Sequence, residues 1–389
     1  MTIDVLKWDK VFLGDIARSL TVAVKDPLSK GFDKYVGLEH IEPGSIHIKS
    51  WGNVANGTTF TRVFRKGQVL FGKRRAYQKK ASLAEFDGVC SGDILVCEAI
   101  EGAVLPELLP FIVQSDRFFE HAIKTSAGSL SPRTKFKDLA KFSFRLPKLD
   151  KQKPIADLLW SIDRTVVDYE ALLNCALKTR SVMLKTIYSM SKIKKVCISD
   201  LPIQEINGMW KTEENVDVVE ASIIRSTEIQ PFGEIAYDTA QIHVVKKSQF
   251  IDRKLKRGDI VVERSGGGPD QPVGRVCYFD RQDGNYTFSN FTSAIRITDH
   301  KVILPKYLHN FLLFFYENKG TDRLQKQTTG IRNLDYDLYR RIKIPLRELA
   351  DQIECIDTIE NIEFNRKKIF SQIVVTKNLQ KQIINQVVG

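Results

Sequence analysis

The residues of this chain best suited to contact a ligand are clustered polar and basic side chains. The densest cluster follows the apolar strand Val69-Leu70-Phe71, and it comprises Lys73, Arg74, Arg75, Tyr77, Gln78, Lys79 and Lys80. Arginine can donate two hydrogen bonds to a guanine edge and glutamine can pair with adenine, while lysine and tyrosine hold phosphates. These residue types predict a nucleic-acid contact, although a solvated turn can have a similar composition.

A second polar segment in the first half precedes the strand that leads into a long helical pattern. It runs from residue 126 to residue 135, and its candidate contacts are Ser131, Arg133 and Lys135. Serine and glycine in this stretch permit close approach of a phosphate to the backbone, and the two cationic side chains supply charge. The sequence therefore predicts a further contact segment here.

The second half of the chain offers counterparts at matching places. Arg264, Ser265 and three glycines follow the strand Ile260-Val261-Val262, in alignment with the Lys73 cluster. The remaining candidates are Arg275 and, aligned with the segment at residue 126, Lys326, Gln327, Arg332 and Asn333. The glycines lack the Gly-Lys-Ser/Thr of a Walker A loop and the register of a dinucleotide fingerprint. Different polar residues on one scaffold predict an asymmetric, bipartite target.

Recognisable catalytic patterns are missing from the sequence. Its 6 histidines and 6 cysteines show no metal-ligand spacing, and there is no Gly-x-Ser-x-Gly elbow. A glycine-rich S-adenosylmethionine loop followed by Asn/Asp-Pro-Pro-Tyr/Phe is also missing. We therefore predict no catalytic residue and no metal, while a nuclease built on dispersed carboxylates stays open at this stage.

The elements that must position these segments occur twice. Residues 138–190 and 337–386 both begin Asp-Leu, pass through a basic apolar strand to a proline, and continue in a long helical pattern. Pro147 recurs as Pro345 and Gln152 as Gln352, an offset of roughly 200 residues that is too long for a solenoid unit. The chain is therefore predicted to contain two tandem copies of one domain-plus-helix module.

Apolar residues recur every seven residues after each domain, which is typical of a coiled coil. The predicted seam residues are Ile155, Leu159, Ile162, Tyr169 and Leu173 in the first helix, and Ile353, Ile356, Ile369 and Ile373 in the second. A helix over residues 149–192 would span about 60 Å at 1.5 Å per residue. A dimerisation zipper is one interpretation. Duplication within one chain favours an intramolecular antiparallel pair that relates the two domains by a pseudo-twofold axis.

We therefore predict an α/β (α+β) fold of two tandem globular domains, each followed by a long helix. The predicted bounds are 1–148 and 193–346 for the domains, and 149–192 and 347–389 for the helical spacers. The net charge of +12 suits a polyanionic partner, because Lys and Arg that neutralise phosphates release counterions. No apolar run is long enough for a membrane span or a secretion signal, which favours the cytoplasm.

Several stretches of the sequence resemble the specificity (S) subunit of type I restriction–modification systems. In the first half these are LFGKRRAYQKKA and FDGVCSGDILV, and in the second they are GDIVVERSGG, PVGRV and YTFSNFTSAIRI. The segment PKLDKQKPIADLLWSIDRTV, with a weaker copy that lacks Leu-Leu-Trp-Ser-Ile-Asp, closes each half. The resemblance covers essentially the whole chain.

The resemblance implies that each domain is a target-recognition domain that reads one half of a split double-stranded DNA site. The helices would set the spacing and dock two methyltransferase subunits, which bind S-adenosylmethionine and methylate adenine. Two restriction subunits using ATP and Mg would join them in a restriction complex, and a methylation-only system would lack them. The chain itself would be non-catalytic and bind no cofactor, because a partner supplies the pocket for the flipped base.

Two other interpretations of the sequence remain. One is a stand-alone nuclease or methyltransferase with an unfamiliar active site. The other is a basic scaffold whose helices dimerise and whose charge carries no sequence preference.

The Lys73 cluster generates a test of the DNA-reading interpretation. We expect Arg74→Ala combined with Arg75→Ala to weaken binding to one half-site, because two cationic hydrogen-bond donors are removed, while assembly with partner subunits is unchanged. A gel-shift assay with partner subunits present measures this, and unchanged affinity would count against the cluster.

Overall fold

A computed structural model describes residues 8–189, 193–209, 217–268, 271–328 and 331–388, apart from the side chains of Gln327 and Thr328. The chain divides into two compact units, which we call the first and second unit. The first comprises Met1–Leu172 with Ile369–Gly389, and the second comprises Leu173–Lys368. Each unit therefore combines a globular domain with segments of both long helices.

The first domain contains ten strands and four short helices among the described residues. The strands are β1 (Asp9–Phe12), β2 (Ala17–Leu20), β3 (Lys34–Val36), β4 (Gly52–Asn53), β5 (Arg62–Phe64), β6 (Val69–Gly72), β7 (Ala81–Leu83), β8 (Gly88–Cys90), β9 (Ile94–Ala99) and β10 (Ser143–Leu146). The helices are α1 (Leu13–Ile16), α2 (Leu109–Gln114), α3 (Asp116–Lys124) and α4 (Phe136–Leu139), followed by the long helix α5 (Leu149–Tyr188).

Within its described residues, the second domain contains twelve strands and three short helices. Its strands are β11 (Lys195–Cys197), β12 (Ile203–Asn207), β13 (Val218–Ile224), β14 (Gln241–Lys246), β15 (Ile260–Glu263), β16 (Ser265–Gly267), β17 (Val276–Tyr278), β18 (Tyr286–Phe288), β19 (Thr292–Ile297), β20 (Gln325–Thr328), β21 (Ile331–Leu334) and β22 (Lys343–Pro345). Its helices are α6 (Lys247–Arg253), α7 (Pro305–Glu317) and α8 (Tyr336–Arg340), followed by the long helix α9 (Leu349–Val388).

The two domains share the topology of their central sheet. The central sheet has the order β2-β9-β6-β7 in the first domain and β12-β19-β15-β17 in the second. Each domain adds a second sheet that contains a parallel pair, β3 with β8 or β13 with β18. The antiparallel pairs β1-β10 and β11-β22 join the start of each domain to the strand that precedes its long helix. The duplicated α/β architecture predicted from the sequence is therefore confirmed.

The central strands explain why the apolar runs in the sequence are unbroken. Strand β6 reads Val-Leu-Phe-Gly and β15 reads Ile-Val-Val-Glu, and every residue of both strands is buried. Both strands pair on two sides, so neither edge faces solvent, and a continuous apolar run is typical of such a strand. Glu263 is the charged exception, and its carboxylate pairs with Arg275.

A buried glutamine anchors each long helix to its own domain. Gln152 accepts a hydrogen bond from Leu105 N at 2.8 Å and donates to Pro147 O at 2.9 Å. Gln352 accepts one from Leu304 N at 2.9 Å and donates to Val302 O and Arg347 O. A buried polar group is stable only when such bonds are made. The recurrence of Gln152 as Gln352 in the sequence therefore marks a structural anchor.

The helical segments inside each unit run antiparallel. In the first unit, Asp163 of α5 contacts Gln380 of α9, and Glu170 contacts Lys377 at 2.7 Å. In the second unit, Arg180 of α5 contacts Glu363, and Arg347, just before α9, donates to Ile187 O at 2.9 Å. The partner number falls as the α5 number rises in both units, so the predicted antiparallel pairing is confirmed.

The buried stripe of each helix repeats every seven residues and includes polar positions. Its members are Gln152, Leu159, Val166, Leu173, Arg180 and Ile187 in α5, and Gln352, Ile359, Arg366, Ile373, Gln380 and Val387 in α9. The two stripes correspond at an offset of 200 residues. All members are buried except Leu173 and Gln380, which are partly exposed.

The remaining predicted seam residues lie beside this stripe. Ile162 is buried, whereas Ile155, Tyr169, Ile356 and Ile369 are partly exposed. Ile353 is 51% exposed and lies away from the stripe. Apolar periodicity misplaced it because the neighbouring polar residue, Gln352, occupies the buried seam position.

A buried ion cluster holds the helix pair of the second unit together. Arg180 pairs with Glu317 at 2.6 Å and with Glu363, and Arg366 pairs with Glu363 at 2.5 Å and with Glu234 at 2.7 Å. The side chains of both arginines are less than a tenth exposed. Removing one member of such a buried set leaves an uncompensated charge, so the cluster opposes other helix registers.

The corresponding cluster of the first unit uses a histidine from the domain. His47 Nε2 lies 2.6 Å from Asp163 Oδ2, and His47 Nδ1 lies 2.9 Å from Glu85 Oε1. The hydrogen bond to Asp163 raises the pKa of His47 to about 9, against the opposing effect of burial. The imidazole is therefore protonated at neutral pH and acts as the cation that compensates the buried carboxylate.

The raised pKa of His47 predicts a pH-dependent stability. Because the folded-state pKa lies above the unfolded value of 6.5, the stabilisation is complete below pH about 6.5 and is lost as the pH rises through about 9. Chemical denaturation of the wild type and His47→Gln at several pH values measures this. We expect the difference in unfolding free energy between them to shrink over that interval, and a constant difference would contradict it.

Candidate nucleic-acid interface

The structure brings the two polar segments of the first domain together. Arg133 forms antiparallel bridges with Arg74 on one side and with Ala127 on the other. Two further backbone bonds tie the segments, from Arg75 N to Pro132 O at 2.7 Å and from Thr134 N to Lys73 O at 3.0 Å. We call this assembly, residues 73–80 with residues 126–135, the first polar site.

The backbone of the first polar site is strained where the loop leaves β6. Arg75 and Lys79 have φ angles of 53° and 52°, and they flank a short 3-10 turn at Ala76–Gln78. A left-handed conformation costs a non-glycine residue roughly 1–2 kcal/mol. Strain of this kind persists only where surrounding contacts impose it, and it is common at functional sites. Tyr77, at the centre of the turn, is 54% exposed.

Asp93 positions two guanidinium groups of the first polar site. It accepts hydrogen bonds from Arg133 at 2.8 and 3.2 Å and lies 3.5 Å from Arg74. Hydrogen bonding from Arg133 holds the pKa of the Asp93 carboxyl below its usual value. Arg74 also donates to Ser131 Oγ at 3.1 Å. Both arginine side chains remain more than a third exposed, so they are oriented but accessible.

Other members of the Lys73 cluster are paired with groups of the domain, although the Lys79 side chain is 46% exposed. Lys80 donates to Leu38 O at 2.6 Å, and Lys79 pairs with Asp116 at 2.8 Å. Burial, followed by the charge of Arg62, lowers the pKa of Lys73. Gln78 is partly exposed and Lys135 is exposed at the start of α4. The accessible surface of the site is therefore less cationic than the sequence predicts.

The second domain builds the same arrangement as a regular sheet of the order β16-β21-β20. Asn333 at its centre pairs with Ser265 on one side and with Lys326 on the other. These three positions correspond to Arg133, Arg74 and Ala127 of the first domain. The Ser265 hydroxyl also donates to the Asn333 side chain. We call this sheet, with Arg264, the second polar site.

A polar pocket of about 400 Å³ opens beside the second polar site. Its lining residues are Asn207, Gly208, Arg264, Ser265, Asn290, Thr292, Asn333 and Leu334. Arg264 donates to Asn207 Oδ1 at 3.2 Å, and its guanidinium stacks on the Tyr336 ring at 3.9 Å. Amide, hydroxyl and guanidinium groups provide both donors and acceptors, which suits base edges and phosphates.

The remaining candidates of the second domain differ in accessibility. Lys326 pairs with Asp335 at 2.7 Å, but its side chain is 60% exposed. Arg332 is partly exposed in β21. Gln327 lies in β20, but its side chain is outside the described residues. Arg275, by contrast, binds both Glu263 oxygens and the carbonyls of Ile229 and Ser226, so its donors are engaged inside the domain.

Sequence reasoning missed several residues that shape these sites. Asp93 and Asn207 lie at strand ends, and Asn290 lies in the turn before β19. The local sequence signal that could have found them was a short polar residue at the end of a strand or in the turn between two strands. No group of three or more His, Cys, Asp or Glu side chains that could hold a metal ion occurs in the part of the chain that the structure describes. No described helix is both long and apolar enough to cross a membrane.

Comparison with known proteins identifies relatives of this chain. Residues 6–178 match the family model described as the type I restriction modification DNA specificity domain. The chain is 28% identical over 159 residues to the type I restriction enzyme EcoDI specificity subunit of Escherichia coli, a match over 39% of this chain and 32% of that protein. It thus spans about a third of the length of that relative.

Solved structures resemble the chain over nearly its whole length. The type I restriction–modification S subunit from M. genitalium has a TM-score of 0.62 at 12% identity, over 98% of this chain and 96% of that one. A chain from a study of complex assembly and conformational transition of the type I R-M system has a TM-score of 0.59 at 16% identity, over 98% and 97%. The fold is shared, and the resemblance predicted from the sequence is confirmed.

The contrast between Arg275 and Lys326 predicts two separable effects. Arg275→Ala should destabilise the second domain by about 3 kcal/mol, because it leaves the buried Glu263 carboxylate unpaired. Lys326→Ala should leave stability nearly unchanged, since its ion pair is exposed, but should weaken DNA binding and lower its salt dependence. Denaturation and salt-titrated binding curves measure both. Equal destabilisation by the two changes would show that the assignment is wrong.

Proposed function

We propose that this chain, whose residues 6–178 match the family model described as the type I restriction modification DNA specificity domain, is the DNA-recognition subunit of a type I restriction–modification complex. Each domain reads one half of a bipartite, asymmetric double-stranded site. The two long helices space the half-sites and dock the partner subunits.

The observation that carries this proposal is the repeated polar site. In both domains a segment that follows a central strand lies against a hairpin before the last strand, with Arg74 and Arg133 in one and Ser265 and Asn333 in the other. The scaffold is the same, while the side chains that face outward differ. Equivalent scaffolds with different donors and acceptors suit two different half-sites.

Phosphate contacts and base contacts divide between the exposed residues of the two sites. Lys135 and Lys326 are long, exposed cations that suit phosphates, which position a protein without specifying sequence. Arg74 and Arg133, whose orientation is fixed by Asp93, suit guanine edges, because bidentate recognition requires a defined guanidinium plane.

The chemistry in this proposal belongs to the partner subunits. The chain is non-catalytic and binds no cofactor. Two methyltransferase subunits bring S-adenosylmethionine, and two restriction subunits, where the system has them, bring ATP and Mg. Adenine methylation requires a pocket for the extruded base, and this chain's part is to bind and orient the DNA around it.

The surfaces of the long helices supply the docking sites for partners. In the first unit, α9 carries Phe370, Val374 and Val375 with exposures of 54%, 43% and 58%. In the second unit, Val182 of α5 and Phe364 of α9 are more than 60% exposed. Contiguous exposed apolar side chains mark protein interaction sites, so these surfaces suit the methyltransferase subunits.

The comparisons favour this function over a stand-alone nuclease or methyltransferase and over a scaffold without sequence preference. The matching family model is described as a DNA specificity domain, and the curated relative is the specificity subunit of a type I restriction enzyme.

The test is to co-express this chain with an adenine methyltransferase subunit and to map methylated adenines. Methylation at a split, asymmetric sequence only when this chain is present is the expected result. Methylation by the purified chain alone would support the stand-alone enzyme. Binding without sequence preference, or no complex with the methyltransferase, would support the scaffold.

A further inference from the structure

The most exposed large apolar side chain of the described residues lies within the first polar site. Leu130 is 89% exposed at the tip of the hairpin that closes between Ala127 and Arg133. Ser129 and Ser131 flank it, and Gly128 precedes them with a φ of 115°. Single exposed leucines are common on protein surfaces, but Leu130 lies on a hairpin whose backbone is held by hydrogen bonds.

The hairpin that carries Leu130 is fixed by hydrogen bonds at its base. Ala127 and Arg133 exchange two backbone bonds, of 3.0 and 2.9 Å. On the far side of the tip, Arg75 N donates to Pro132 O at 2.7 Å, and Arg74 Nη2 donates to Ser131 Oγ at 3.1 Å. Both neighbours of Leu130 on the C-terminal side are thus tethered to the Lys73 segment, and this apolar side chain projects from an ordered tip.

Arg74 and Arg133 are paired at the base of this hairpin. Asp93 orients both of them. An aliphatic side chain projecting beyond two oriented cations suits a surface that presents anionic groups at its rim and apolar groups deeper within. The major groove of DNA has this character, with phosphates at its edges and thymine methyl groups on its floor. It is also wide enough for a two-stranded ribbon.

The second polar site also carries an exposed aliphatic residue on its hairpin. Strands β20 and β21 form a ribbon of four residue pairs, from Gln325 with Leu334 to Thr328 with Ile331. Ile331, which pairs with Thr328 in this ribbon, is 51% exposed. It lies two residues before Asn333, whereas Leu130 lies three residues before the corresponding Arg133, so the two exposed aliphatic residues are at neighbouring and not equivalent positions of the two hairpins.

We propose that Leu130 is a specificity-determining residue that contacts a thymine methyl group in the major groove of the half-site read by the first domain. This rests on the proposed function. The contact contributes no charge, so it distinguishes thymine from cytosine without changing the number of phosphates bound.

The test couples Leu130 to the methyl group itself. The complex of this chain with its methyltransferase subunit is used, with duplexes that carry the mapped methylation site. Each thymine of the half-site is replaced in turn by deoxyuridine, which lacks only the C5 methyl group. Binding is measured for the wild type, Leu130→Ala and Leu130→Met. Leu28→Ala, which removes another exposed leucine of the first domain outside the hairpin, is the matched control.

We expect one deoxyuridine position to weaken wild-type binding about three- to fivefold, the effect of one buried methyl group. Leu130→Ala should lose a similar factor on thymine DNA and nothing further on deoxyuridine DNA at that position. Leu130→Met should retain most of the affinity, and Leu28→Ala should match the wild type. The salt dependence of binding should be the same for all four proteins, because no phosphate contact is removed.

Several results would overturn the inference. Additive losses from Leu130→Ala and deoxyuridine would show that the two groups are not in contact. If no deoxyuridine substitution weakens wild-type binding, or if Leu130→Ala binds with full affinity, Leu130 does not contact a thymine methyl group. If Leu130→Ala no longer bound the methyltransferase subunit, the hairpin would be a docking surface for that subunit and not a DNA contact. If the wild-type complex methylates no split site, the proposed function itself fails, and that result is distinct from the others.

Discussion

A carboxylate at corresponding positions of the two long helices is the constraint on which both units depend. Asp163 is buried and Glu363 is largely buried, with its side chain 20% exposed, and each needs cationic or amide partners because an unpaired charge removed from water is strongly unfavourable. In the first unit the partners are His47 of the domain and Gln380 of α9. In the second unit they are Arg180 and Arg366 of the two helices. One structural requirement is thus met by different residues.

This requirement links the helices to the polar sites through the domain cores. The first core packs residues of β6 and β9 together with Leu159 of α5 and Ile384 of α9. Strand β6 ends at Gly72, and the Lys73 cluster begins at the next residue. The second core does the same with β15, Ile187 and Ile359, and Arg264 follows directly. Each polar site is therefore built on the strand that the helices help to bury, which gives the reading side chains a rigid base.

The charge available at these sites is smaller than the net charge of +12 suggests. Acidic residues distant in sequence bind many of the cations, as Asp93 binds Arg133 and Glu263 binds Arg275. Such pairs reduce the electrostatic attraction to phosphates but fix guanidinium orientation, which direct reading of bases requires. The two sites therefore favour oriented hydrogen bonding over diffuse positive charge.

The sequence by itself determined the duplication, the fold class, the two long helices and the segments that form the polar sites. These follow from local patterns: apolar periodicity, repeated Asp, Pro and Gln markers, and basic runs after buried strands. Only the tertiary structure decided that the two segments of each domain adjoin, that Arg180 and Arg366 enter the helix seam, and that Arg275 points inward. Those outcomes depend on which distant carboxylate or carbonyl lies within hydrogen-bond distance, and no local pattern encodes that distance.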